Sequence, residues 1–211
     1  VGTEVSRCII IAAHNEVAVK SIVNIRADDF IICADGGYAF AAAEGIVPNL
    51  VIGDFDSFHG VVEPGIEVER VAAEKDDTDT LLCLKRGIER GFEEFIIVGG
   101  IGGRLDHTIA NLQTVAYGCE RGCFVLLADK GNLVTMIGAD TVKLPKVNGY
   151  KLSVFAFGDV CEGVYESGVK YPLTNATITN TFPIGVSNEI EAENAVISCR
   201  KGKLLLVMSK E

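Results

Sequence analysis

Two carboxylates at alternate positions, Asp54 and Asp56, follow an apolar run that stops at Gly53, in Asn49-Leu-Val-Ile-Gly-Asp-Phe-Asp-Ser57. In extended backbone, residues two apart share a face, so both acids can point off the end of a buried strand while Phe55 turns inward. Neighbouring carboxylates repel, and one pKa rises unless a cation lies between them. Oxygen ligands with no His or Cys close by select a hard divalent ion, Mg²⁺ above all. The plainer reading of the same residues is a strand that runs into an acidic Asx turn. Three further clusters share this composition. Cys33-Ala-Asp35-Gly36-Gly37 and Gly99-Gly-Ile-Gly-Gly103-Arg104-Leu105-Asp106-His107 each end an apolar run, and Lys75-Asp76-Asp77-Thr78-Asp79-Thr80 opens a helical pattern. Asp and Thr at a helix start also serve as caps, which is the alternative for Asp76 to Thr80 and for Asp106. Four glycines within 99–103 let the backbone approach a ligand closely, and their N–H groups can cradle a phosphate at a helix N-terminus. The stretch is not a P-loop, and it lacks the dinucleotide-binding spacing. His107 reads as a hydrogen-bonding partner among carboxylates, and His14 and His59 as incidental.

Carboxylates, glycine-rich backbone and the counter-charges Lys75 and Arg104 together suit a metal–phosphate site. The expected chemistry is phosphoryl-type transfer from a Mg²⁺-nucleotide, in which positioning and charge neutralisation supply most of the rate. No Ser–His–Asp or Cys–His constellation stands out.

For these clusters to converge they must lie along one edge of one sheet. Cys8–Ala12, Phe30–Ala34, Leu50–Ile52, Phe95–Val98 and Phe124–Leu127 are continuous apolar runs, as in parallel strands covered on both faces. Helical patterns alternate with them at 36–45, 80–90 and 107–121, with Gly45, Gly91 and Gly122 as stops. This alternation predicts an open α/β sheet whose ligands bind at the carboxyl ends of the strands. After Lys130 helical periodicity disappears. Leu133–Ile137, Thr141–Leu144, Leu152–Phe157, Thr174–Thr181, Ile190–Arg200 and Leu204–Met208 read as strands, with hairpin turns at 147–150 and 200–203. The expected architecture is an α/β domain over 1–130 with a mostly parallel sheet, followed by an all-β sandwich over 131–211.

The formal net charge of −10 argues against nucleic acid as a partner, which needs a basic face, but suits a cationic substrate. The longest apolar runs are strand-sized, so no membrane span is expected, and the N-terminus lacks the pattern of a signal peptide. Seven cysteines, mostly in apolar surroundings, fit buried reduced thiols and a cytoplasmic location better than a disulfide framework.

Over nearly its whole length the sequence resembles the thiamine pyrophosphokinase family. Asp35-Gly-Gly37, Gly53-Asp-Phe-Asp-Ser57, Lys75-Asp-Asp-Thr-Asp79 and Gly102-Gly-Arg-Leu-Asp-His107 look like that family's motifs in its order. Gly168-Val-Lys-Tyr-Pro-Leu173 and Gly185-Val-Ser-Asn-Glu189 look like its substrate-side motifs. The resemblance implies a three-layer α/β/α domain followed by a β-sandwich, and a homodimer with active sites at the subunit interface. It implies transfer of the pyrophosphoryl group of ATP to the hydroxyl of thiamine, with release of AMP. Asp54, Asp56 and Asp79 would hold Mg²⁺, and Asp35 and Asp106 would complete the acidic cluster. Gly36, Gly37, Lys75, Gly102, Gly103, Arg104 and His107 would contact the nucleotide. Ser187 and Asn188 would bond the thiamine pyrimidine, and Tyr171 would lie against the substrate ring. One departure is Ala12-Ala-His-Asn-Glu16, where a small glycine-containing turn is expected. Other readings of the Asp-x-Asp pair are a pyrophosphokinase acting on a hydroxymethyl pterin, and a metal-dependent glycosyltransferase or phosphohydrolase.

Overall fold

The computed structural model describes residues 6–54, 62–72 and 76–210, and the chain divides into two compact units, Val1–Lys130 and Gly131–Glu211. In the first unit the elements follow in the order β1 (Cys8–Ile11), α1 (Val19–Ile22), β2 (Phe30–Ala34), α2 (Gly37–Ala43), β3 (Leu50–Gly53), β4 (Glu67–Arg70), α3 (Asp79–Glu89), β5 (Glu94–Val98), α4 (Leu105–Cys119) and β6 (Phe124–Asp129). The strands lie in the order β4-β3-β2-β1-β5-β6, and every pairing among them is parallel. Parallel strands need crossover connections, and α1, α2, α3 and α4 lie in those from β1 to β2, β2 to β3, β4 to β5 and β5 to β6. The continuous apolar runs are buried as expected: β1 and β3 are buried at every position, and Ile9, Ile32, Leu50, Phe95 and Ile97 are fully so. Each such side chain contributes about 1.5–3 kcal/mol relative to leaving it in water.

Strand order reverses between β1 and β5. One neighbour of β1, β2, begins the outward run to β4, and the other, β5, begins the run to β6. Such a switch point opens a crevice at the carboxyl ends of its strands. At the opposite ends, Arg7 ties the entry to β1 to the entry to β2 through a buried fork on Asp29, at 2.9 and 2.7 Å. Burial pushes the Asp29 carboxyl up, but bonds from the Arg7 guanidinium and the Arg26 N–H outweigh it and hold the acid below its ordinary value.

The second unit contains β7 (Asn132–Ile137), β8 (Thr141–Pro145), β9 (Tyr150–Ala156), β10 (Val160–Ser167), β11 (Leu173–Thr179), β12 (Asn194–Ser198) and β13 (Leu204–Lys210). β7, β13 and β9 pair antiparallel in that order, and β11, β10, β12 and β8 form a separate antiparallel sheet. One core holds side chains of both groups, Leu152, Val154, Leu204 and Leu206 with Val164, Ile178, Ala195 and Ile197. Alternation in β9 and β13 gives each a buried face and a less buried face.

Several expectations need correction. The turns at 147–150 and 200–203 are not hairpins. The first joins β8 to β9 and the second β12 to β13, and in both cases the two strands lie in different sheets. Gly149 and Gly202 do adopt left-handed φ of 80° and 105°, so the turn signal was sound and the pairing inferred from it was not. The 190–200 run forms a strand only over Asn194–Ser198. β4 and β10 were not anticipated. β10 hides because Gly163, at φ 65°, makes a bulge where the register with β11 shifts.

All seven cysteines are free, and burial pushes Cys8 and Cys33 up to about 12, so these two stay as inert thiols. Among the described residues no helix is long and apolar enough to cross a membrane.

Candidate active site

A cavity of about 460 Å³ opens where the parallel strands end. Its wall comes from the residues that follow β1 (Ala12, Ala13, His14), β2 (Asp35), β3 (Asp54) and β5 (Gly100, Gly102), from the approach to α3 and its start (Asp77 to Thr80), and from the N-cap and first two turns of α4 (Arg104, His107, Asn111). The lining divides by chemistry: Asp35, Asp54, Asp77 and Asp79 come from the β2, β3 and α3 segments, and His14, Arg104 and His107 from the β1 turn and α4.

Each acid is placed by a local device. Asp35 has φ 41°, a left-handed conformation that Asp tolerates better than most residues. Its N–H donates to Ile52 O at 2.7 Å, which draws the ends of β2 and β3 together. Gly53 permits this approach, since a Cβ there would stand 2.9 Å from Asp35 Oδ1. Asp35 is buried, and its Oδ1 has no hydrogen-bond partner. An orphaned buried carboxylate oxygen is costly unless a donor or a cation meets it. Asp79 lies in the first turn of α3, where its charge suits the helix dipole. The cap itself is Thr78, whose Oγ1 accepts from Leu81 N–H at 3.2 Å. Asp77 instead pairs with Lys85 at 2.7 Å. Thr78→Ala is therefore expected to lower stability by about 1 kcal/mol, read as the shift in a urea unfolding midpoint, whereas Asp76→Ala is expected to leave it unchanged.

The glycine-rich loop is held from three sides. Gly100 N–H donates to His14 O at 2.7 Å, Asn111 Nδ2 donates to Gly100 O at 2.8 Å, and Gly102 N–H donates to Thr108 Oγ1 at 3.1 Å. Gly99, Gly100, Gly102 and Gly103 all have positive φ, which is why the stretch is glycine. Arg104 flanks α4 without capping it. Its guanidinium instead grips Asp106, and that bond holds the Asp106 carboxyl below its ordinary range.

Of the expected site residues in this unit, Asp35, Asp54, Asp79, Gly102, Arg104 and His107 line one cavity. Asp106 does not join them. It is exposed and acts on Arg104. Gly36, Gly37 and Gly103 are not in the lining either, and Gly37 is fixed by packing, since a Cβ there would stand 2.1 Å from Ile11 O. Asp56 and Lys75 lie outside the described residues. His14, read as incidental, is in the wall. Asn111 was also missed, although it stands four residues after His107 on the same helix, a spacing that shares a face. Among the described residues no three His, Cys, Asp or Glu side chains come close enough to form a metal site.

In the second unit Tyr171 is 63% exposed, with Lys170 Nζ 5.6 Å from its ring centroid. Ser187 is exposed at φ 59°, and its N–H donates to Ser153 Oγ at 3.0 Å. Asn188 is buried and fully used. Its Oδ1 accepts from the N–H groups of Tyr171 (3.0 Å) and Glu189 (2.9 Å). Its Nδ2 donates to Tyr171 O (2.9 Å) and Glu166 Oε2 (3.4 Å). An amide has two acceptor and two donor positions, so its side chain builds the loop and keeps no position for a ligand.

Two family models match the chain: the thiamin pyrophosphokinase catalytic domain over residues 24–127 and the thiamin pyrophosphokinase vitamin B1 binding domain over residues 141–204. Thiamine pyrophosphokinase of Bacillus subtilis is 31% identical over 186 residues, which cover 85% of this chain and 87% of that protein. The crystal structure of the Bacillus subtilis thiamine pyrophosphokinase superposes with a TM-score of 0.87 at 26% identity, covering 98% of this chain and 100% of the other. That of a thiamin pyrophosphokinase family protein from Enterococcus faecalis gives 0.83 at 29% identity, covering 98% and 100%.

Proposed function

Since the chain belongs to the thiamine pyrophosphokinase family, we infer that it transfers the pyrophosphoryl group of ATP to the hydroxyl of thiamine. The products are thiamine diphosphate and AMP. The hydroxyl oxygen forms a bond to the β-phosphorus and gives up its proton, the bond from that phosphorus to the α,β-bridging oxygen breaks, and AMP leaves with that oxygen. The observation that carries this reading is the cavity at the carboxyl edge of the parallel sheet, where acids from three segments face a glycine-rich loop and Arg104.

In donor chemistry the carboxylates suit a magnesium ion, with Asp56, outside the described residues, needed beside Asp54 and Asp79 to make three. The donors are all oxygen, and the orphaned Asp35 Oδ1 is the kind of atom a cation relieves. Asp54 and Asp79, with Asp56 by resemblance, would hold it, and Asp35 completes the acidic group. When bound, the ion neutralises charge on the transferred group. The chain's own residues do the remainder. Arg104, oriented by Asp106, offers a planar fork to phosphate oxygens. The Gly102 segment brings backbone close to the nucleotide, and His107 and His14 stand beside it as donors.

The finer reading is a three-layer α/β/α catalytic domain over 1–130 and a β-sandwich over 131–211 that binds thiamine and dimerises. Tyr171 gives the cationic substrate a flat face, Ser187 gives it a hydrogen bond, and Asn188 holds both segments in place. Exposed Phe182, Ile184 and Val186, next to Ser187, offer the apolar surface that a second copy would cover. A cytoplasmic location accords with the free thiols.

The test is AMP release from ATP in the presence of magnesium, with thiamine or a hydroxymethyl pterin as acceptor. AMP formation with thiamine is expected. Strict preference for the pterin, or phosphate release with water as the only acceptor, would overturn the assignment.

A further inference from the structure

Glu166 is an acid for which the transfer reaction has no use. It lies in β10 opposite Leu173 of β11 and Ile197 of β12, and it is 1% exposed. Oε2 accepts from Asn188 Nδ2. Oε1 has no hydrogen-bond partner, and the space beside it belongs to Gly185, where a Cβ would stand 3.7 Å away. Asn188 is the clasp between two segments: it bonds both backbone groups of Tyr171, and its own backbone pairs with Leu152 of β9. Glu166 is the anchor beneath that clasp.

Burial, opposed only by the Asn188 bond, pushes the Glu166 carboxyl up to about 7. Among the described residues no charged group adds to these two causes. β11 and β12 carry no ionisable side chain. Lys151 of β9 and Lys170 both pair with Glu189, at 3.1 and 3.3 Å. Glu162 of β10 pairs with Lys201 and Arg200, and Glu191 and Glu193 are exposed. The core of this unit also holds the thiols of Cys161 and Cys199, with Tyr150 packed against it.

We propose that Glu166 is a positioning residue of the acceptor seat: it holds the Asn188 clasp, and with it the Gly168–Tyr171 and Gly185–Glu189 segments, in binding geometry only while its carboxyl is neutral. This rests on the reading that those segments seat thiamine. Once ionised, the carboxylate is a buried charge with one long hydrogen bond, and the relief open to it is to draw in water and release the clasp. The neutral fraction then sets the competent population, and apparent affinity falls in proportion.

The experiment measures KM for thiamine, KM for ATP and kcat from pH 6 to 8.5 in the wild type and in Glu166→Gln, which keeps the shape and cannot ionise. In the wild type the thiamine KM is expected to rise about tenfold between pH 6 and 8, as the neutral fraction falls to about one tenth, while the ATP KM does not follow it. In Glu166→Gln the rise disappears and the low-pH value persists. A wild-type KM that is flat across this range, or an unchanged rise in the Gln variant, would overturn the proposal while leaving thiamine turnover intact. Amide exchange at Tyr171 and Glu189, whose N–H groups bond Asn188, gives a readout that needs no substrate. At pH 8 both are expected to exchange faster in the wild type than in Glu166→Gln, and equal rates would also overturn the proposal. Failure of the wild type to use thiamine at pH 6 would instead sink the functional reading, and the exchange comparison would still decide the role of Glu166.

Discussion

Asp79→Asn is expected to lower turnover of thiamine by roughly 10³-fold while the protein stays folded. Asp79 shares the cavity wall with Asp35 and Asp54, and substitution by Asn removes a negative charge with little change of shape. On the proposed reading, acids from separate segments hold a cation against phosphate with their charge, and the amide cannot replace that charge. The cap of α3 survives the substitution, because Thr78 rather than Asp79 supplies it. Loss of the favourable dipole interaction costs about 0.3–1 kcal/mol. Two measurements check the expectation: initial rates of AMP release, and the thermal midpoint of the variant beside the wild type. Activity within a few-fold of wild type would remove Asp79 from the site, and a collapsed midpoint would make it a structural residue. Asp54→Asn should behave alike. Asp106→Asn should fall between, because Asp106 acts by orienting Arg104 from outside the lining.

The first unit was legible because its signals are redundant. A run such as Phe95-Ile-Ile-Val98 is apolar at every position, as only a strand covered on both faces requires, and helical stripes fill the intervals. The clusters that end such runs could then be assigned to one edge. What escaped is what sequence distance hides. β4 reads Glu-Val-Glu-Arg, a polar edge strand with no apolar period to find. His14 follows an ordinary apolar run, and only the reversal of strand order between β1 and β5 brings it to the crevice. Asn148-Gly149 and Lys201-Gly202 announce turns correctly, but turn chemistry is local and does not state which sheet the next strand joins. Glu166 sits in Glu-Ser-Gly, which reads as an exposed turn. It is buried because the Asn188 loop closes over it from 22 residues away. Residue types therefore located the chemistry, and topology decided which side chains take part.

Gly37 carries the second large expectation, and it separates two reasons for which a glycine can be required beside a nucleotide site. By resemblance, Gly36 and Gly37 would both contact the nucleotide. At Gly36 an added Cβ would meet Ala13 Cβ at 3.7 Å, an ordinary contact. At Gly37 it would stand 2.1 Å from Ile11 O and 2.9 Å from Ile11 C. Those atoms belong to β1, which is buried at every position and paired on both sides, by β2 and β5. Backbone held in that way cannot retreat, so α2 must move instead. Elsewhere in a helix, replacing Gly by Ala gains about 0.5–1 kcal/mol. Here overlap outweighs the gain, and Gly37→Ala is expected to destabilise by about 2–4 kcal/mol, which lowers the thermal midpoint by roughly 5–15 °C in a chain of this size. Gly36→Ala should leave the midpoint within a few degrees. Activity distinguishes the two further: Gly37→Ala displaces the start of α2, two residues after Asp35 of the cavity wall, so residual folded enzyme should show a raised KM for ATP. Equal midpoints for the two variants would mean that α2 yields without cost, and that the close approach of helix to strand does not explain the glycine.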